Sequence, residues 1–129
     1  MFITAIEDFD YKPLIVEGRL KRNKLEMESS MAWKSSDGRL VTILAGFITD
    51  LASLPWIALL FLVKLGRHQR AAVLHDQLYR SQVESRAWSD NEFNKAMRQD
   101  DVATWRRRII YAGVRAGGWA AWNKYSKAL

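Results

Sequence analysis

His75, Asp76 and Asp90 are the residues whose types and spacing could do chemistry. His75 lies between Leu74 and Leu78 on an apolar helical face, one turn from Ala71 and Tyr79. Asp76 points about 100° away around the same helix. Asp90 opens what reads as the next helix. If the two helices form an antiparallel hairpin, Asp90 returns across from His75. A buried carboxylate accepting from one imidazole nitrogen would fix the tautomer and leave the other nitrogen as a general base. Asp76 would then face the loop before the preceding helix. There Asp50 and free backbone carbonyls could help hold a hard cation such as calcium. The bland alternatives stay open. A core histidine can be satisfied by one hydrogen bond, and the three residues can form a buried polar network that only fixes helix packing. Asp50 can also serve as a turn or cap residue beside Thr49 and Ser53, a role that fits it slightly better than metal binding. Arg67, His68 and Arg70 precede the cluster, either as a solvated helix start or as an anion clamp. His68 stands two turns from His75, too far for both to bind one metal directly.

The elements that must position these groups follow from a change of period. Before residue 50 the chain reads as strands. Phe2–Ile6 is a short one, and Leu14–Val16 follows a turn at Asp10–Pro13. Lys21–Glu28 and Met31–Lys34 come next. Asp37-Gly38 then turns the chain into Arg39–Ile48, whose Leu40–Leu44 stretch is rich in β-branched residues. After residue 50 the apolar period becomes about 3.6. A helix is expected over 54–65, with Ser53 as cap, Pro55 in its first turn and Gly66 at its end. A second covers 67–81. A third starts at Ser89 with Glu92 three residues on, a capping-box pattern, and turns Phe93, Ala96 and Met97 inward. A fourth runs from Ala103 to Lys124, bent at Gly117-Gly118. The fold class is α+β: a small N-terminal antiparallel sheet followed by a bundle of about four helices. Residues 1–129 form a single domain, with a β-rich half at 1–50 and a helical half at 51–129.

Composition narrows the function classes. There is no Cys among 129 residues, which excludes a disulfide, a thiolate zinc site and a cysteine nucleophile. The net charge of +6 favours anionic partners or is merely a basic surface. The N-terminus lacks the pattern of a signal peptide. The most apolar run, Leu54–Val63, is far shorter than the roughly 20 residues a membrane span needs. From Val102 onward Arg106, Arg107, Arg108, Arg115, Lys124 and Lys127 are interleaved with Trp105, Tyr111, Trp119, Trp122 and Tyr125, and no acid occurs. Such a segment can sit on an anionic membrane, bind nucleic-acid backbone or dock on a protein. Its spacing also suits an inward stripe of Trp105, Ile109, Ala112, Ala116 and Trp119 rimmed by solvated arginines. Nothing supports sequence-specific nucleic-acid binding.

Two resemblances carry further expectations. His75-Asp76-Gln77-Leu78-Tyr79 resembles the His-Asp-x-x-Tyr helix motif of the phospholipase A2 superfamily, in particular its short, cysteine-free viral capsid branch. That resemblance implies His75 as the base that activates water, Asp76 as a calcium ligand, Asp90 as the carboxylate that orients His75, and Tyr79 as a helix-packing hydroxyl. The ordered set Gly46-Phe47-Ile48-Thr49-Asp50-Leu51-Ala52-Ser53-Leu54-Pro55, Ala71–Tyr79, Asp90 with Phe93, Trp105-Arg106-Arg107 and Gly117-Gly118-Trp119 is similar to a phage- and prophage-encoded family of small proteins of unknown function. It implies a phage or prophage origin and a place in the host bacterial cytoplasm or the virion. The expected function is calcium-dependent hydrolysis of a lipid or related ester at the host envelope. The alternative is a non-enzymatic virion or assembly component, or an accessory protein that binds a phage or host protein or an anionic surface through its basic, Trp-rich C-terminal helix.

Overall fold

The computed structural model describes residues 1–16, 19–50 and 69–129, with backbone alone at 13–16, 19–24 and 50. It is α+β, with antiparallel strands first and, among the described residues, four α-helices after them. The helix expected over 54–65, and the residues Arg67 and His68, lie outside the described range.

The strands form two small sheets rather than one. β1 (Tyr11–Val16), β2 (Arg19–Met27) and β5 (Ile48–Asp50) lie in the order β1-β2-β5, while β3 (Met31–Lys34) and β4 (Leu40–Ile43) make a separate hairpin. Gly46 causes the split. The expected continuous strand from Arg39 to Ile48 stops at Ile43, and the chain turns through Gly46 at φ +90°. Only glycine reaches that region without a Cβ penalty. The turn is tied to β2 by Gly46 N–H to Met27 O at 2.7 Å and Met27 N–H to Phe47 O at 2.9 Å. β5 then pairs with β2, placing Asp50 opposite Lys24. Gly38, at φ +89°, makes the expected turn between β3 and β4.

Two other expectations shift. Phe2–Ile6 does not form a strand; Phe2 makes a single bridge to Trp33, and a 3-10 turn covers Ile6–Asp8. Pro13 does not mark a turn but lies within β1. It is tolerated there because β1 is an edge strand and its register shifts between Pro13 and Leu14.

The helices are α1 (Gln69–Ser81), α2 (Arg86–Gln99), α3 (Thr104–Gly117) and α4 (Trp119–Ala128). α1 is the central one, buried on nearly every side from Arg70 to Tyr79. The cap of α2 lies four residues before the expected one. Ser85, not Ser89, holds the N-terminus by accepting from Trp88 N–H at 3.1 Å. Ser89 is buried and donates to Ser85 O, and Glu92 is turned inward to bind the β3–β4 hairpin. There Glu92 accepts from Trp33 Nε1 at 3.3 Å and Ser36 N–H at 3.2 Å, with Lys95 Nζ at 3.0 Å. Trp33, Met31, Met27 and Ile43 meet Leu74, Phe93 and Met97 in one core across the two halves.

A buried ion pair fixes how α1 meets α2. Arg70 grips Asp100 through Nε–Oδ2 at 2.7 Å and Nη2–Oδ1 at 2.5 Å, donates from Nη1 to Thr4 O at 2.8 Å, and covers the Phe2 ring at 3.9 Å. Among the described residues, no helix is long and apolar enough to cross a membrane. Removing one partner of a buried pair strands the other charge. Asp100→Asn is therefore expected to cost about 3 kcal/mol in urea unfolding. Ser85→Ala, which removes only a cap, is expected to cost about 1 kcal/mol. Equal losses would show that the Arg70 clamp contributes little.

Candidate functional site

α1 and α2 run antiparallel, so Arg70 faces Asp100 at one end and His75 faces Asp90 near the other. The expected pairing forms: His75 Nε2 lies 2.7 Å from Asp90 Oδ1. Tyr79, one turn along α1 from His75, donates its hydroxyl to the same oxygen at 2.6 Å. The second oxygen, Oδ2, receives Arg115 Nη1 from α3 at 2.7 Å and Arg86 Nη1 at 3.5 Å. His75 is 2% exposed and Asp90 is 0% exposed. The imidazole is stacked on Phe93 at 4.4 Å between ring centres and is tilted against Tyr79 at 4.2 Å.

The electrostatics follow from this packing. Burial alone would raise the Asp90 pKa. Hydrogen bonds from His75, then from Tyr79 and Arg115, outweigh that and hold the carboxyl below its ordinary range. Asp90 is therefore an anion near neutrality. It fixes a proton on His75 Nε2, and in the neutral ring this leaves the lone pair on Nδ1. Tyr79 is pushed well above the ordinary phenol value by burial first and by the Asp90 bond second, so it stays a donor.

Arg86 does two jobs. Besides facing Asp90, it donates to Val114 O at 3.0 Å and to Arg115 O at 3.2 Å, two of the last carbonyls of α3. A cation there also complements the helix dipole. Gly118 makes the approach possible. A Cβ at that position would stand 2.5 Å from the Tyr79 hydroxyl oxygen and 3.2 Å from Arg86 Nη1, and would also meet Val114 O.

Asp76 does not join the Asp90 cluster, and its carboxylate is engaged elsewhere; the loop it was expected to face lies outside the described residues. Arg80 reaches it at 3.2 Å through both Nε and Nη2, and the Tyr125 hydroxyl donates to it at 3.2 Å. Arg80 in turn lies over the Phe47 ring at 5.1 Å, just past the Gly46 turn. Asp50 ends β5, whose side chain is outside the description, and β5 packs on α1. Its neighbour Thr49 is fully buried, and its hydroxyl has no hydrogen-bond partner among the described residues. Arg70, considered as an anion clamp, is taken up by Asp100 and Thr4 at the far end of α1. The site thus gathers His75, Asp90 and Tyr79. Arg86, Arg115 and Gly118 were not singled out for it from sequence. Arg86 stands four residues before Asp90, a recognisable ion-pair spacing on a helix, whereas Arg115 is brought in by tertiary packing alone.

The Asp90 shift has a sign. A carboxyl whose folded pKa is depressed adds stability that is complete above its ordinary value of 3.8 and is lost as pH falls through the lower folded value. The stability gap between wild type and Asp90→Asn, read from urea melts, is expected to be wide at neutral pH and to narrow in acid. A gap independent of pH would contradict an ionised Asp90. Gly118→Ala is expected to lower the unfolding temperature and disturb the site together, since its methyl group collides with the Tyr79 hydroxyl.

A family model described as "Protein of unknown function (DUF1353)" matches residues 25–114. That range holds β3 to β5, α1, α2 and most of α3, and stops one residue short of Arg115. No curated protein matches the chain, and neither does any solved structure.

Proposed function

The chain belongs to the family described as Protein of unknown function (DUF1353), and we propose that it is a phage- or prophage-encoded hydrolase that cleaves a lipid or related ester at the host bacterial envelope. The observation that carries this reading is the 2.7 Å bond between His75 Nε2 and a buried, ionised Asp90. An oriented imidazole with a fixed tautomer is the arrangement a general base requires. Nδ1 takes a proton from a water molecule as the water oxygen bonds to the ester carbonyl carbon. The tetrahedral adduct then collapses, the carbonyl re-forms, and the alcohol leaves with the proton returned from Nδ1. Asp90 stabilises the imidazolium formed between the two steps. Tyr79, Arg86 and Arg115 act on the reaction only through Asp90, by keeping it charged and in place.

The motif resemblance implies calcium, with Asp76 and Asp50 as its ligands. Among the described residues no group of three or more His, Asp or Glu side chains could hold a metal ion. Asp76 also already has Arg80 and Tyr125 as partners. The described side chains therefore do not fit a resident calcium ion, and no step above runs through one. A ligand role for Asp76 would require Arg80 to give way, and it predicts that Arg80→Gln binds calcium more tightly than wild type in calorimetric titration. Equal or weaker binding would remove Asp76 from the ligand set.

A second reading is favoured by the depth of the His75 ring. A network this buried can serve only to fix how α1, α2 and α3 pack. The protein would then be a virion or assembly component, located in the virion or the host cytoplasm and contacting other phage or host proteins. Hydrolysis of mixed phospholipid vesicles, with and without calcium, separates the two. Wild type is expected to release fatty acid, and His75→Gln to lose at least about 100-fold in rate while keeping a cooperative thermal transition. A wild type without activity under both conditions would leave the packing role alone.

A further inference from the structure

The stripe that the helical spacing would place inward points outward. Trp105 is 56% exposed, Ile109 43% and Trp119 58%, and the positions between them, Ala112 and Ala116, are exposed as well. The buried residues of α3 are Ile110 and Val114, roughly on the opposite side at 100° per residue. α3 and α4 carry this stripe as one surface. Gly118 keeps right-handed helical dihedrals, and the i to i−4 ladder crosses it through Gly118 N–H to Val114 O at 2.8 Å and Trp122 N–H to Gly118 O at 3.0 Å. From Trp105 to Trp119 the stripe is about 21 Å long at 1.5 Å per residue.

Its charge setting is one-sided. Residues 102–129 carry six cations and no acid, while residues 1–101 carry 14 cations and 14 acids. The whole net charge of +6 therefore resides in this segment. On the helical wheel Arg108 flanks the stripe on one side and Arg106 on the other, with Arg106 over the Trp105 ring at 5.0 Å. Arg115 is drawn away to Asp90.

We infer that this face docks on an anionic lipid bilayer, with Trp105, Ile109 and Trp119 entering the headgroup boundary and Arg106 and Arg108 meeting lipid phosphates. Trp rings have an apolar body and a polar N–H, and they concentrate at that depth. Cations on both flanks of a narrow apolar stripe suit a flat negative surface. A second copy of the chain would bring two cationic rims together. An acidic protein could satisfy the arginines but gives no reason for Trp at both ends of the stripe. The docking does not depend on hydrolysis, so it is read by binding alone.

The test is co-sedimentation with vesicles of phosphatidylglycerol in phosphatidylcholine, compared with phosphatidylcholine alone. Wild type is expected to bind the anionic vesicles, to bind the neutral ones far more weakly, and to release as salt is raised. Trp105→Gln/Trp119→Gln is expected to lose at least about tenfold in affinity, because the apolar contact drives insertion. Arg108→Gln is expected to lose about fivefold. Leu40→Gln, at an exposed apolar residue on β4, is expected to bind as wild type does. Should the double Trp variant fail to melt cooperatively, Trp119→Gln alone and Arg108→Gln take its place. The inference is overturned by wild type that ignores anionic vesicles, or by variants that bind them as tightly as wild type. It is also overturned by a dimer, formed without lipid, that the Trp substitutions dissolve, or by binding to soluble polyglutamate but not to vesicles.

Discussion

A carboxylate with no exposed surface must find its partners inside the protein. Taking such a charge out of water costs several kcal/mol unless donors surround it. Asp90 meets that demand by gathering groups from three helices: His75 and Tyr79 from α1, Arg86 from its own helix and Arg115 from α3. The packing of the helical half depends on this convergence. α1 cannot turn about its axis without withdrawing two donors. α3 cannot slide along α2 without stranding Arg115, and α4 follows α3 through Gly118. Whether or not His75 moves a proton, the same contacts fix its ring and its tautomer.

Two further buried carboxylates, Glu92 on α2 and Asp100 just past its end, divide the remaining work. Glu92 reaches the β3–β4 hairpin through Trp33 and Ser36, and Asp100 holds Arg70 at the start of α1. Along one helix and its C-cap, three acids thus address the hairpin, the start of α1 and the site. Hydrophobic contact among Trp33, Leu74, Phe93 and Met97 supplies the non-directional part of the core. The ion pairs supply direction, since a small rotation that an apolar contact tolerates would break a bond of 2.7 Å.

The sequence made some of this legible because the signals were local. The 3.6 period of Ala71, Leu74, His75 and Leu78 placed α1 and its buried face. The Asp37-Gly38 pair placed the hairpin, and the His75–Asp90 meeting followed from two antiparallel helices. Other features depend on contacts that no local pattern records. Gly46 divides one apparent strand between two sheets, because a positive φ there suits β2 better than continuing β4. Ser85 outcompetes Ser89 as a cap because Ser89 and Glu92 are needed in the interior. The Trp105 to Trp119 stripe has inward spacing, yet Ile110 and Val114 take the inner face. Periodicity identifies an apolar face; it does not say which of two faces the core will choose.

Arg86 links two accounts that are usually kept apart, since one guanidinium closes the end of α3 and faces the carboxylate of the site. Substitutions at residues 86, 90, 115 and 118 therefore do not act independently. Each removes or, at Gly118, crowds a group that another needs, and the effect of one depends on which of the others is already changed. A chain drifting through single substitutions meets these four positions as one coupled block. A helix terminus cannot be remodelled there while the site is left as it was.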